Sequence, residues 1–281
     1  MNNNTTAQKE RALSFHDLHH AGKPLMLPNI WEPLGAALLA NLGYPAVATS
    51  SSAMALTNGL LDGEHISFQS LLAQLKQITQ TVSIPVTADI EKGYAANDKE
   101  LAQHIESLID TGIAGINFED GNQSGGLVPI EVQCQRIQLI KETAERKGIP
   151  LFINSRTDTY IHSRLFAHAE EQLAETIKRG KAYHKAGADG FFPILIKAMN
   201  DIKAVVAEVP LPVNVMTIPG IPSFQELKAI GVKRISLGGA FLKTAMQAMK
   251  QQALLLKDFR GKEQMDTNEI TSDYLEALIT T

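Results

Sequence analysis

Residues Val86 to Tyr94 read Val-Thr-Ala-Asp-Ile-Glu-Lys-Gly-Tyr, an apolar run that ends by delivering two carboxylates. Ile84, Val86 and Ala88 follow Ser-Ile-Pro as a buried strand would, and Gly93 breaks the run. Residues two apart on a strand share a face, so Asp89 and Glu91 should converge at its carboxyl end. Two acids side by side repel unless a cation or protons hold them. The chemistry this suggests is a divalent-metal site. The competing reading is a helix-capping Asp beside a solvated Glu.

More polar side chains fall where other apolar runs stop. They are Asn29, Trp31 and Glu32, then Thr49 with Ser50, Ser51 and Ser52, then Asp62 in the loop beyond. Later runs end in Asn117, Glu119 and Asp120, in Asn154, Arg156 and Asp158, and in Asn214 and Thr217. Four acids, Asp62, Asp89, Glu91 and Glu119, with one arginine and several hydroxyls and amides fit a hard cation and an anionic substrate. Oxygen ligands suit magnesium or manganese, and magnesium keeps much of its water. Arg156 can grip a carboxylate or phosphonate in bidentate fashion. The serines offer hydroxyls and backbone N–H groups to an oxyanion. Any one of these residues could instead cap the following helix, with Asp120 and Asp158 the best candidates for that role.

The elements that must carry them alternate regularly. Strand-like runs are expected at 24–29, 46–50, 85–91, 114–120, 150–158, 190–194, 212–217 and 234–239. Helices are expected at 33–42, from 67, 98–111, 129–147, 166–186, 197–208, 223–230 and 240–256, with a polar loop from the second strand through Asp62. Eight strand–helix units imply an α/β fold of the (β/α)8 TIM-barrel type, whose active site lies at the carboxyl ends of its strands. An open doubly wound sheet is the alternative, but no Gly-rich dinucleotide fingerprint follows an early strand. Residues 1–281 are read as a single barrel domain, with 1–22 a helical lead-in and 257–281 a C-terminal tail that carries a short helix from Ser272 to Leu278. In the lead-in, Leu13, Phe15 and Leu18 should pack, and His16, His19 and His20 should form a solvated face.

A chain of 281 residues suits one such barrel. The net charge of −4 gives no basic footprint for nucleic acid. No apolar run is long enough for a transmembrane helix, and the polar N-terminus lacks a signal-peptide core, so the expected location is cytoplasmic. The single cysteine, Cys134, excludes an intrachain disulfide and should lie on the core face of a helix with Ile130 and Ile137.

Leu-Pro-Asn-Ile-Trp, Thr-Ser-Ser-Ser, Asp-x-Glu-x-Gly-Tyr, Asn-Phe-Glu-Asp and Asn-Ser-Arg-Thr-Asp, in that order, resemble the isocitrate lyase/phosphoenolpyruvate mutase superfamily from about Phe15 to Leu256. The resemblance implies a magnesium ion and α-oxycarboxylate substrates whose C–C or P–C bond is made or broken through a metal-stabilised enolate. It implies that Asp89 touches the metal, that Glu91, Glu119 and Asp62 hold its waters, and that Ser50 and Ser51 bind the substrate carboxylate. Arg156 and Glu119 would be catalytic, with Asn214 and Trp31 facing the substrate. The lyase branch has a Lys-Lys/Arg-Cys-Gly-His loop after the fourth strand. Here that place reads Gly121-Asn122-Gln123-Ser124-Gly125-Gly126-Leu127, and Ile194 replaces a strand-six glutamate. Both departures argue against a true isocitrate or methylisocitrate lyase.

Three readings therefore compete. The first is a magnesium-dependent lyase-type enzyme for a small anionic 2-oxo or 2-hydroxy acid. The second is a Schiff-base aldolase using Lys197, with Gly238-Gly239 as a phosphate-binding turn. The third is a barrel that binds an oxyacid without turning it over. The segment from Ala240 to Leu256 is apolar on more than one stripe, which points to a homo-oligomer, a dimer or tetramer. The alternative is a tail, 261–281, folded back over the same helix.

Overall fold

The computed structural model describes residues 3–122 and 124–280. The expected domain ends at residues 1 and 281, the start of the polar N-terminus and Gln123 of the 121–127 loop lie outside the described residues. The chain begins with α1 (Asn3–His20), followed by β1 (Leu25–Leu27), β2 (Asn29–Ile30), α2 (Pro33–Asn41) and β3 (Val47–Thr49). It continues with α3 (Ser51–Thr57), α4 (Phe68–Thr81), β4 (Val86–Asp89), α5 (Asp98–Asp110), β5 (Gly115–Glu119), α6 (Ile130–Lys147) and β6 (Phe152–Thr157). The second half adds α7 (Ala169–Lys185), β7 (Gly190–Pro193), α8 (Met199–Glu208), β8 (Asn214–Met216), α9 (Phe224–Ala229) and β9 (Arg234–Ser236). Last come α10 (Ala240–Lys257), α11 (Lys262–Asp266) and α12 (Ser272–Thr280).

All ladders are parallel, and the first strand closes the ring by belonging to two of them. Pro28 cannot donate to a ladder, and it separates β1 from β2. β1 pairs with β9, Leu25 opposite Arg234, while β2 pairs with β3, Asn29 opposite Ala48. The ladder β2-β3-β4-β5-β6-β7 meets β1-β9-β8 through this split strand, and a bridge from Phe191 to Val213 joins them on the other side. The result is a (β/α)8 barrel.

The helices that pack on the barrel do so through an apolar stripe. In α5, Leu101, Ile105, Leu108 and Ile109 are buried, each worth about 1.5–3 kcal/mol. An Ile105→Asp change would place an unpaired charge there and unfold that face. Asn97 starts the helix by accepting the Glu100 N–H.

The barrel interior is layered. β5 and β6 pair Gly115 with Phe152, Asn117 with Asn154 and Glu119 with Arg156. The amino-terminal layer is apolar: Phe152 meets Phe15 of α1 edge-on at 5.3 Å and stacks on His19 at 4.0 Å. The middle layer is amide-rich, and the carboxyl-end layer is charged. Gly190 permits the middle layer, since a Cβ there would stand 2.8 Å from Asn154 Oδ1.

Several expectations need correction. His16, His19 and His20 are not a solvated face: His19 is buried, its Nδ1 on the Phe15 carbonyl, and burial pulls it down to about 3, so it is neutral. Leu13 is exposed rather than packed. The supposed loop after Ser50 contains α3, and the third strand stops at Asp89. Cys134 is half-buried against the core. Among the described residues no helix is long and apolar enough to cross a membrane.

Candidate active site

The acids gather at the carboxyl end of the barrel, on β4, β5 and the turns beside them. Asp89 ends β4, with its N–H on Thr49 Oγ1 at 3.0 Å and its carboxylate hydrogen-bonded to the Asn117 amide. Glu91 was expected on the same strand face. It lies instead in the turn beyond, at φ 49°, and still reaches the cluster because the turn bends it back. Its Oε2 accepts the Glu64 N–H at 2.8 Å and its Oε1 accepts the Tyr94 hydroxyl at 3.0 Å. Tyr94 N–H is in turn held by Glu64 Oε1 at 2.7 Å. Glu64 and Tyr94 also have positive φ, 64° and 56°. Three non-glycine residues in the left-handed region within one contact network are backbone strain concentrated around Glu91.

Burial raises the Glu91 carboxyl from its usual range to about 7, with Asp89 and Asp62 adding to the rise. Burial likewise raises Asp89; Arg156 pulls it back, and Asp62 pushes it further up. Asp62 itself is exposed, on the loop after α3, close enough for its charge to act on both. Glu119 is raised by burial, an effect partly opposed by Arg156 Nη1, 2.7 Å from Glu119 Oε2. Lys92 Nζ is 3.8 Å from the other Glu119 oxygen.

Arg156, expected to grip an anionic ligand in bidentate fashion, already lies among acids. Nε and Nη2 fork onto Asp158 at 2.7 and 3.2 Å while Nη1 meets Glu119. Burial alone would lower the guanidinium; Glu119, Asp158 and Asp89 overcome that and hold it above its ordinary value. Asp158 is therefore an ion-pair partner and not a helix cap. Asp120 is not a cap either. Its buried carboxylate accepts from the Asp158 N–H at 2.8 Å, from Arg179 at 2.9 Å and from the Tyr183 hydroxyl at 2.5 Å. This fixes the β5 and β6 ends against each other.

Ser50 and Ser51 are buried beside the cluster, where β3 becomes α3. Ser50 Oγ caps the helix through the Ala53 N–H at 3.3 Å, and Ser51 is its first residue. No hydrogen bond or ion pair among the described residues joins Trp31 or Asn214 to the acids. Trp31 borders an apolar groove with Phe241 and Tyr274. Asn214 is fully buried with its Nδ2 on Ser236 Oγ at 3.2 Å. Lys197 is exposed on the turn before α8. The N–H groups of Leu237 and Gly238 both donate to Asn29 Oδ1, at 2.8 and 3.0 Å, so the Gly238-Gly239 turn is tied to the barrel and is no free phosphate cradle.

Sequence reasoning missed Glu64, Tyr94, Lys92 and Arg234. Arg234 opens β9 and is wholly buried, and burial lowers its guanidinium to about 9 while Asp89 draws it back up. The available signal was an arginine inside an otherwise apolar strand. Among the described residues no three His, Cys, Asp or Glu side chains could enclose a metal directly. One carboxylate at the strand end with three further acids around it fits a cation that keeps most of its water, as magnesium does.

The sequence profile of the phosphoenolpyruvate phosphomutase family matches residues 15–257. The crystal structure of a Burkholderia cenocepacia J2315 protein, provisionally named a phosphonomutase, aligns with a TM-score of 0.82 at 36% identity, over 89% of this chain and 99% of that one. The 2-methylisocitrate lyase of Bacillus subtilis is 26% identical over 274 residues, 93% of this chain and 87% of its own. A phosphonopyruvate hydrolase solved with oxalate and magnesium has the same fold, at 22% identity and a TM-score of 0.81, over 95% of this chain and 94% of that one.

Proposed function

The chain belongs to the phosphoenolpyruvate phosphomutase family, and on that premise we propose that it is a magnesium-dependent enzyme of lyase type, which cleaves or forms a C–C or P–C bond of a small 2-oxo or 2-hydroxy carboxylate. One observation carries the reading. Five carboxylates, Asp62, Asp89, Glu91, Glu119 and Asp158, gather at the barrel mouth, where Arg156 pairs with Glu119 and Asp158 and Lys92 approaches Glu119, and Asp89, Glu91 and Glu119 are raised as a result of burial and mutual repulsion. A divalent cation removes that imbalance.

Bound there, magnesium supplies Lewis-acid stabilisation of negative charge developing on substrate oxygens. Asp89 is the side chain that would touch it, and Asp62, Glu91 and Glu119 would hold its waters. Ser50 and Ser51 would receive the substrate carboxylate where β3 turns into α3. Arg156 brings positive charge to the reacting end in a fixed place, because Glu119 and Asp158 hold its plane. Two of the guanidinium's five N–H groups donate to Asp158, and Nη1 forms an ion pair with Glu119.

The Schiff-base reading finds no support in the exposure of Lys197, since such lysines are activated by desolvation. A homo-oligomer, dimer or tetramer, belongs to the same proposal. No residue of α10 is buried, and Met246, Met249, Leu254 and Leu256 are exposed on it. The test of function is turnover of 2-oxo acids, 2-hydroxy acids and their phosphonates, with magnesium and after metal removal. Bond cleavage that needs magnesium is expected. Binding of an oxyacid without turnover under any condition would leave the non-catalytic barrel.

A further inference from the structure

Arg234 is the largest fully buried side chain of the barrel, and its surroundings are unusual for a buried charge. A buried guanidinium is costly unless it is paired. Yet the ion pairs among the described residues do not include it. Its one hydrogen bond runs from Nη2 to Asn117 Oδ1 at 3.0 Å, and Nε and Nη1 have no hydrogen-bond partner among the described residues.

Asn117 joins this arginine to the acids. Its Oδ1 accepts a second hydrogen bond, from Asn154 Nδ2 at 2.9 Å. Two donors on the oxygen decide which way the amide faces, so Nδ2 points to the other side. There it meets the carboxylate of Asp89, which stands directly opposite Asn117 in the β4–β5 register. A flipped amide would aim its oxygen at a carboxylate and lose both interior donors.

We infer that Arg234 is a positioning residue for Asp89, acting through the Asn117 amide from inside the barrel. The inference rests on the metal reading above. A direct arginine–carboxylate pair would occupy the carboxylate oxygens, as Arg156 does with Asp158. Placing a neutral amide between the two leaves positive charge behind Asp89 and its carboxylate outside any ion pair among the described residues, with Oδ1 accepting the Glu91 N–H at 3.2 Å. The guanidinium also polarises the amide it donates to, which strengthens the bond that Nδ2 makes. Asn154 supports the same orientation without charge.

The test is calorimetric titration of magnesium into the metal-stripped full chain, with circular dichroism and metal-free melting as controls for folding. Asn117→Ala and Arg234→Met should each weaken magnesium binding by roughly tenfold or more, as outer partners of metal ligands do. The double variant should bind no more weakly than Asn117→Ala, because the arginine acts through that amide. A parent-like affinity in Arg234→Met, or losses that simply add, would overturn the inference. Should Arg234→Met not fold, Arg234→Lys decides. Its loss must appear in the parent background and vanish in the Asn117→Ala background; an equal loss in both overturns the proposal. A parent chain that takes up no magnesium overturns the metal reading itself, and this inference with it.

Discussion

Arg156 Nη1 stands 2.7 Å from Glu119 Oε2, so the arginine at the barrel mouth is shared among the acids before any substrate arrives. The fork onto Asp158 holds the guanidinium plane, and a ligand meets a group already aimed. Arg156→Lys keeps the charge and loses the fork. Turnover or ligand affinity should fall by the equivalent of about 2–3 kcal/mol, the upper part of the range for hydrogen bonds to charged groups. Steady-state kinetics of the variant checks this; values within about twofold of the parent would assign Arg156 to the ion-pair network alone.

Asp89→Asn removes one charge and keeps the shape of the side chain at the end of β4. The variant should fold, and its melting temperature should no longer rise with added magnesium, whereas the parent's should. Thermal shift across a magnesium series gives the answer, and an unchanged magnesium response in the variant would remove Asp89 from the metal.

In the metal-free protein, burial raises Glu91 from 4.5 to about 7. Between these values the folded chain holds more protons than the unfolded chain, so stability falls as pH rises through the window and levels off above it. Glu91→Gln should flatten this dependence, and magnesium should reverse it by favouring the ionised carboxyl. Melting curves from pH 5 to 8, with and without magnesium, measure both effects. A metal-free parent whose stability loss over that window equals the Glu91→Gln variant's would contradict the assignment.

The outer face of α10 predicts self-association. α12 does fold back, packing on α2 with Leu278 buried, and Gln252 Nε2 donates to the Gly261 carbonyl. Even so, Met246, Met249, Leu254, Leu256 and Phe259 remain exposed. Light scattering at micromolar concentration should give a multiple of the chain mass, and Met249→Glu should reduce it. A monomer mass for the parent would end the oligomer reading.

The alternation of apolar runs with capped amphipathic segments made the barrel legible, because buried parallel strands carry few charges and each helix has its own stripe. Legibility ended where conformation outruns residue type. α3 looked like a polar loop because its serines read as linker, although Ser50 is its cap. Nothing in Glu91 announces a left-handed turn, so the acids were placed on one strand face and reached their neighbourhood by another route. The resemblance to a known family marked Arg156 but not its partners, which depend on the β5–β6 register. The period-two repeat, Asn117 with Glu119 and Asn154 with Arg156, was present in the chain and would have exposed the polar interior. Arg234 needed the closed ring, since its contact with Asn117 spans 117 residues.

Pro28 has a consequence for how the molecule is made. By splitting the first strand it leaves β1 and the Asn29 amide oxygen waiting for β9 and the turn after it, with Gly238 lying 209 positions beyond Asn29. During synthesis the first ladder, from β2 onward, can assemble as it emerges, but β1 stays an unpaired edge until almost the whole chain has left the ribosome. Contacts of such sequence separation form late. A chain terminated before Arg234 would keep that edge open to strands of other molecules, so the hazard of premature termination in this protein is association as well as loss of the site.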